Sequence, residues 1–220
     1  MTESRYQSSC ALLVALSLLV SPLSATCGGG GGGGVGGMSG GGADGLAAPT
    51  TYQVPWVVTR PGAAAVMSAG LVLYWFPTSP AEARGSSLQT SRSLTLWSAR
   101  CVAMVIVPGD HQELRSRYAA PATMPAAVLA LGTDGSELAR VGAGAKLPTS
   151  DVEKIVANEL KRREKENDSQ LAAAKAKEKA DTSAAVVLYE EVWADHCLDP
   201  GAGKKAAKAL KKLGHPVSDR

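Results

Sequence analysis

The chain has 220 residues, enough for one domain with an appendage. With 45% hydrophobic and 20% charged residues it can bury a core, which excludes global disorder. A net charge of +3 is too mild for a nucleic-acid binder, and three His with four scattered Cys do not make the clustered ligand set of a zinc module.

The N-terminus reads as an export signal. Met1-Thr2-Glu3-Ser4-Arg5 is followed by an apolar run from Cys10 to Val20 and then by the small-residue stretch Ser21 to Thr26. The run is shorter than the roughly 20 residues a membrane-spanning helix needs. Cys27 follows directly and precedes a glycine tract. This arrangement resembles the lipobox of bacterial lipoproteins, in which the cysteine thiol receives a diacylglycerol and the chain is cleaved before it. The match departs from the usual pattern, because Leu23 lies four residues before Cys27, Ser24 takes the usual Leu place and Thr26 replaces a smaller residue. The resemblance implies a signal peptide over 1–26, lipid attachment at Cys27 and a location on a membrane of the cell envelope, periplasmic or outer-membrane side. Ordinary cleavage nearby would instead release a secreted protein.

Residues 27–49 read as a linker. The segment 28–45 holds more than half of the 24 glycines. Glycine has the largest backbone entropy to lose and no side chain to bury, so a flexible tether is expected. A Walker-type phosphate loop is excluded, because no Gly-Lys-Ser/Thr follows.

Residues 50–165 alternate strand and helix signals. Val54 to Val58 is either a short edge strand or the start of a helix, and Ala63 to Ala69 has helical composition. Leu71 to Phe76 is a continuous apolar run ended by Pro77, the pattern of a strand buried on both faces. Ala81 to Trp97 is helix-compatible, with Gly85-Ser86-Ser87 interrupting it. Cys101 to Val107 is the second buried run. Asp110 is the predicted cap of a helix over 111–119, with Leu114 and Tyr118 on one face. Ala126 to Leu131 is the third run, Gly132-Thr133-Asp134-Gly135 a turn and Leu138 to Val141 the returning strand. Ser150-Asp151-Val152-Glu153 reads as a capping box ahead of a stripe of Val152, Ile155, Val156 and Leu160. The predicted class is α/β, with two parallel strands and a terminal antiparallel pair.

Together these segments resemble the thioredoxin-like fold over about residues 52–165. Leu71 to Phe76 looks like the central strand that leads into the active-site loop. Cys101 to Val107, with the helix after it, looks like the next central strand. Ala122 to Ala126 looks like the cis-proline segment, and residues 126–142 like the terminal hairpin. The resemblance implies a mixed sheet flanked by helices, a cis bond before Pro125, and a peptide-docking surface formed by Thr78, Ser79, Thr123, Met124 and Pro125. It also exposes a loss. Where the family carries Cys-x-x-Cys, this chain has Ser79 and Glu82 in the loop 77–83, so no redox dithiol forms there. Ser79 reads as the cap of the following helix.

Once Cys10 is removed and Cys27 is acylated, Cys101 and Cys197 remain. In an exported chain they either oxidise to a disulfide or persist as two buried thiols.

Residues 166–220 read as a helical extension and hairpin. Lys161 to Lys179 is a solvated helix extension or linker. Thr182 or Ser183 caps a helix to about Leu198, Asp199-Pro200-Gly201 is a turn, and a second helix covers Gly203 to Leu213. The pair resembles one tetratricopeptide-type unit. Lys204, Lys205, Lys208, Lys211 and Lys212 give the last helix a basic face, suited to acidic lipid or an acidic partner unless the acids of the preceding helix neutralise it. His196 beside Cys197 is too small a set for a metal site. The sequence thus predicts a non-enzymatic envelope lipoprotein that needs no cofactor and binds an extended peptide or a protein partner. Two alternatives are a thiol–disulfide protein using Cys101 and Cys197 and a surface structural protein.

Overall fold

The three uninterrupted apolar runs form the centre of one sheet. The computed structural model describes residues 52–217 apart from 64, 65, 67 and 143. Strands β1 (Val57–Val58), β2 (Leu71–Phe76), β3 (Val102–Ile106), β4 (Ala126–Leu131) and β5 (Glu137–Val141) lie in the order β1-β3-β2-β4-β5. β3 runs parallel to both β1 and β2, whereas β4 is antiparallel to β2 and β5 to β4. The class is therefore α/β with a mixed five-stranded sheet. Val54 to Val58 resolves as an edge strand of only two residues.

Every residue of β2 is buried, and side-chain alternation explains why. Leu71, Leu73 and Trp75 enter one core with Leu88, Leu94, Val152, Val156 and Leu160. Val72, Tyr74 and Phe76 enter a second core on the opposite face with Leu114 and Tyr118. A strand covered on both sides has no place for a polar residue. Gly70 precedes it because a Cβ there would collide with the Cys101 carbonyl, which accepts from Leu71 N at 3.0 Å.

The stretch 81–97 is three short pieces: α1 (Pro80–Gly85), a 3₁₀ turn (Ser87–Thr90) and α2 (Arg92–Ser98). A serine starts each one. Ser79 accepts from Glu82 N, Ser86 from Leu88 N and Ser91 from Leu94 N. These hydroxyls satisfy amides that an isolated first turn leaves open.

Several local expectations are corrected. The described residues within 63–69 lie in no helix; Ser68 N instead donates to Gly132 O beside the sheet. Helix α3 covers Gln112–Arg117, one residue inside the expected start, and His111 rather than Asp110 caps it. Ala119, at φ 43°, has left the right-handed helix just beyond its end. Helix α4 covers Thr149–Lys177 and begins before the expected capping box, with Pro148 at the cap and no side-chain cap bond. Ser150 therefore lies inside the first turn, and the Glu153 carboxylate accepts from Ser91 Oγ at 2.7 Å. A tertiary bond has taken the acid that the local motif required.

Helix α4 runs unbroken past residue 165 and carries the C-terminal helices. α5 (Thr182–Ala194) is capped by Asp181, not by Thr182 or Ser183. α6 (Pro200–Lys212) is capped by Asp199 and holds Pro200 in its first turn, so 199–201 starts this helix. Ala174 of α4, Tyr189 and Val192 of α5, and Ala206 and Leu210 of α6 form a third core. Cys101, just before β3, is disulfide-bonded to Cys197, just after α5, with the Cα atoms 5.7 Å apart. Beside it the Arg100 guanidinium pairs with Glu164 at 2.9 Å, and its Nε donates to Leu198 O at 2.9 Å.

Candidate functional site

β2 and β3 are parallel neighbours, and both reach a proline at their C-terminal ends, Pro77 and Pro108. Parallel strands leave a crevice beyond these ends, where the chain departs to helices on opposite faces. Here that crevice is a half-open cleft of about 370 Å³. Pro77, Thr78, Ser79, Pro80, Ala83 and Arg84 line one side; Val58, Ile106, Pro108 and Gly109 line the other, with Gln89 beside them. The walls are mostly apolar, and Arg84 is the charged lining residue.

The loop after β2 is closed on itself. Ser79 Oγ accepts from Glu82 N at 3.1 Å. The Glu82 carboxylate reaches back to accept from Thr78 N at 2.8 Å and from Thr78 Oγ1 at 2.6 Å. The Ser79 hydroxyl is thus a helix cap. No His lies among its hydrogen-bond partners to make it a nucleophile.

Beneath the loop sits Arg115, 5% exposed. Its Nη2 donates to Pro77 O at 2.7 Å, Nε to Pro108 O at 3.2 Å and Nη1 to Pro121 O at 3.1 Å. The guanidinium carbon lies 5.7 Å from the centre of the Phe76 ring. Burial lowers the Arg115 pKa from its ordinary value, against a smaller opposing effect of Glu82. His111, one turn earlier, accepts from Leu114 N through Nδ1 at 3.5 Å, and its buried Nε2 has no partner among the described residues.

The structure does not bring together all the predicted peptide-docking residues. Thr78 and Ser79 line the cleft; Thr123, Met124 and Pro125 do not. Thr123 and Met124 are exposed, whereas Pro125 is buried at the start of β4. The expected cis bond before Pro125 is absent, since the described residues contain no cis peptide. Trans is lower in energy by about 0.5–1 kcal/mol for an X-Pro bond, and a trans bond delivers the chain into β4. The cleft residues outside the loop 77–83 that were missed in the sequence are Val58, Arg84, Gln89, Ile106, Pro108 and Gly109. Proline within two residues of the end of each of two adjacent parallel strands was the available signal.

The remaining candidates lie elsewhere. Cys101 is at the opposite end of β3 from the cleft, roughly 15 Å away at about 3.3 Å per residue. Cys27 is outside the described residues. His196 stacks on Trp193 with ring centres 4.2 Å apart, and its Nδ1 lies 2.7 Å from Trp193 O. Among the described residues no group of three or more His, Cys, Asp and Glu is placed to hold a metal, and no helix is long and apolar enough to cross a membrane.

Comparison with known proteins found no matching family model, curated protein or solved structure.

Proposed function

We propose that the chain is a lipoprotein of the cell envelope whose thioredoxin-like domain has no dithiol and serves as a binding module, not an enzyme. The observation that carries this reading is the cleft beyond β2 and β3. It occupies the place where the resemblance would put Cys-x-x-Cys, yet offers proline, threonine, serine and alanine walls. Such a surface holds apolar side chains and performs no thiol exchange. The suited partner is an extended peptide that places one apolar side chain between Ala83 and Ile106. The Cys101–Cys197 disulfide supports an exported location, because such bonds persist in oxidising compartments. The lipobox-like Cys27 supports anchoring on the membrane.

Screening the full chain against immobilised extended peptides tests the module. Peptides with a central Leu, Ile or Phe are expected to be retained. Ala83→Leu, which fills the cleft, should weaken retention at least tenfold, whereas Met124→Ala should leave it unchanged. Equal retention by Ala83→Leu and by the original chain would remove the reading, and Arg84→Glu provides a second cleft variant at an exposed position. Palmitate incorporation that disappears in Cys27→Ser tests the anchor.

A second reading, thiol–disulfide exchange at Cys101–Cys197, is favoured by the bonded pair and by the partial exposure of both residues. Neither cysteine lies at a helix N-terminus that would depress its pKa. Insulin reduction above background, lost in Cys101→Ser, would replace the first reading with this one.

A further inference from the structure

Helix α6 has two faces of opposite character. Ala202, Ala206 and Leu210 are buried against α5 and α4, and Gly203 is buried beside His196. At 3.6 residues per turn, Lys208 falls directly opposite that core with Lys204 and Lys211 to one side of it, and all three are exposed. Lys205 and Lys212 lie to the other side of Lys208 and are the α6 lysines with carboxylate partners: Asp168 at 3.7 Å and Glu178 at 3.6 Å. Among the described residues, no carboxylate lies within salt-bridge distance of Lys204, Lys208 or Lys211.

The acids of the preceding helix and turn do not neutralise this face. Asp195 pairs with Arg163 at 3.0 Å. Asp199 accepts from Ala202 N at 3.0 Å and from Asn167 Nδ2 at 3.4 Å. Glu191 accepts from Gln170 Nε2 at 3.2 Å. These groups are engaged with α4 or with the helix cap, and Glu190 is exposed.

We propose that the Lys204–Lys208–Lys211 face is an electrostatic docking surface for an anionic lipid bilayer. The three ammonium groups repeat at i, i+4 and i+7, over roughly 10 Å of helix axis. The stripe contains no aromatic or large apolar side chain that would read the shape of one protein. What it presents is unpaired positive charge at regular spacing, which a plane of lipid phosphates attracts. The inference rests in part on the membrane location proposed above. A tether makes docking intramolecular, so that a few-fold gain per lysine suffices.

The test uses the full chain carrying Cys27→Ser, so that no acyl group contributes, with vesicles of phosphatidylcholine alone or mixed with phosphatidylglycerol. Any pull by the apolar segment 10–20 is common to both lipids, so the preference for phosphatidylglycerol is the readout. Phosphatidylglycerol should raise the bound fraction several-fold at low salt, and added salt should erase the gain. The triple variant K204Q/K208Q/K211Q should lose most of that preference. The control K154Q/K161Q/K165Q alters three exposed lysines of α4. It makes the same change in net charge and should keep the preference. No preference in the original chain, equal loss in the control, or capture on polyglutamate beads without a phosphatidylglycerol preference would each overturn the proposal. Palmitate labelling of the chain with Cys27 intact tests the anchor separately. Its failure beside an intact lipid preference would remove the tether and leave the face.

Discussion

The Arg115 guanidinium donates to the Pro77 carbonyl at 2.7 Å, and the same cation reaches Pro108 and Pro121. One side chain thus fastens the loop after β2, the loop after β3 and the segment before β4. Its planar fork serves three acceptors in three directions, which a single ammonium cannot reproduce. Arg115→Met should lower the unfolding free energy by about 3 kcal/mol, since it leaves three carbonyls without their donor. Arg115→Lys should recover little of that loss. Urea denaturation followed by far-UV circular dichroism measures both, and a fully stable Lys variant would show that the fork is not needed.

The Cys101–Cys197 bond closes a 96-residue separation and joins the start of β3 to the turn between α5 and α6. In the chain-entropy view, a loop of this size constrains the unfolded state by about 4–5 kcal/mol. Reductant should therefore lower the melting temperature of the original chain by several degrees or more. Cys197→Ser should melt at the reduced temperature whether or not reductant is present. Identical melting curves for the oxidised and reduced chain would mean that the third core alone holds the hairpin.

The strands and the hairpin were legible in the sequence, whereas the cleft and the helix ends were not. β2, β3 and β4 could be read because both their faces are buried, which leaves continuous apolar runs. Helix ends failed where tertiary contacts took the residues that a local motif needed. Glu153 accepts from Ser91 instead of closing a capping box, and Asp199, read as part of a turn, caps α6. The cleft was hidden because Val58, Ala83 and Ile106 meet only when β1 pairs with β3 and α1 folds back over them. The cis bond expected before Pro125 came from the family resemblance alone, whereas the Met-Pro pair itself favours trans.

Trp75 is fully buried, its Nε1 lacks a partner among the described residues, and its ring centre is 5.3 Å from that of Trp56. A buried donor without an acceptor costs stability, so removing the N–H offsets part of the cost of a smaller ring. Trp75→Phe should therefore be destabilising by only about 1–2 kcal/mol, whereas Trp75→Ala should cost about 3–5 kcal/mol. Chemical denaturation separates these cases. A Phe variant as unstable as the Ala variant would mean that the indole's volume, not its unpaired nitrogen, governs the site.

Glu159 supplies the pH dependence that the fold makes explicit. It is 9% exposed on α4 and receives Arg162 through Nε at 2.8 Å and Arg163 through Nε at 2.9 Å. Arg163 also reaches Asp195, so the carboxylate stands where α4 meets the turn after α5. Burial pushes the Glu159 pKa up, but the hydrogen bonds and charges of Arg162 and Arg163 outweigh it and hold the group below the ordinary 4.5. The folded state thus binds this proton less readily than the unfolded chain does. Stability from Glu159 is fully present above about 4.5 and is lost as pH falls through the lower folded value. Glu159→Gln should destabilise the protein at pH 7, because Arg162 and Arg163 lose the buried carboxylate that they share. The gap between variant and original should narrow as pH falls below 4.5, when the original carboxylate becomes protonated too. Unfolding free energies at pH 7, 5, 4 and 3 measure that narrowing, and a constant gap across the range would show that the charge of Glu159 is not what α4 uses.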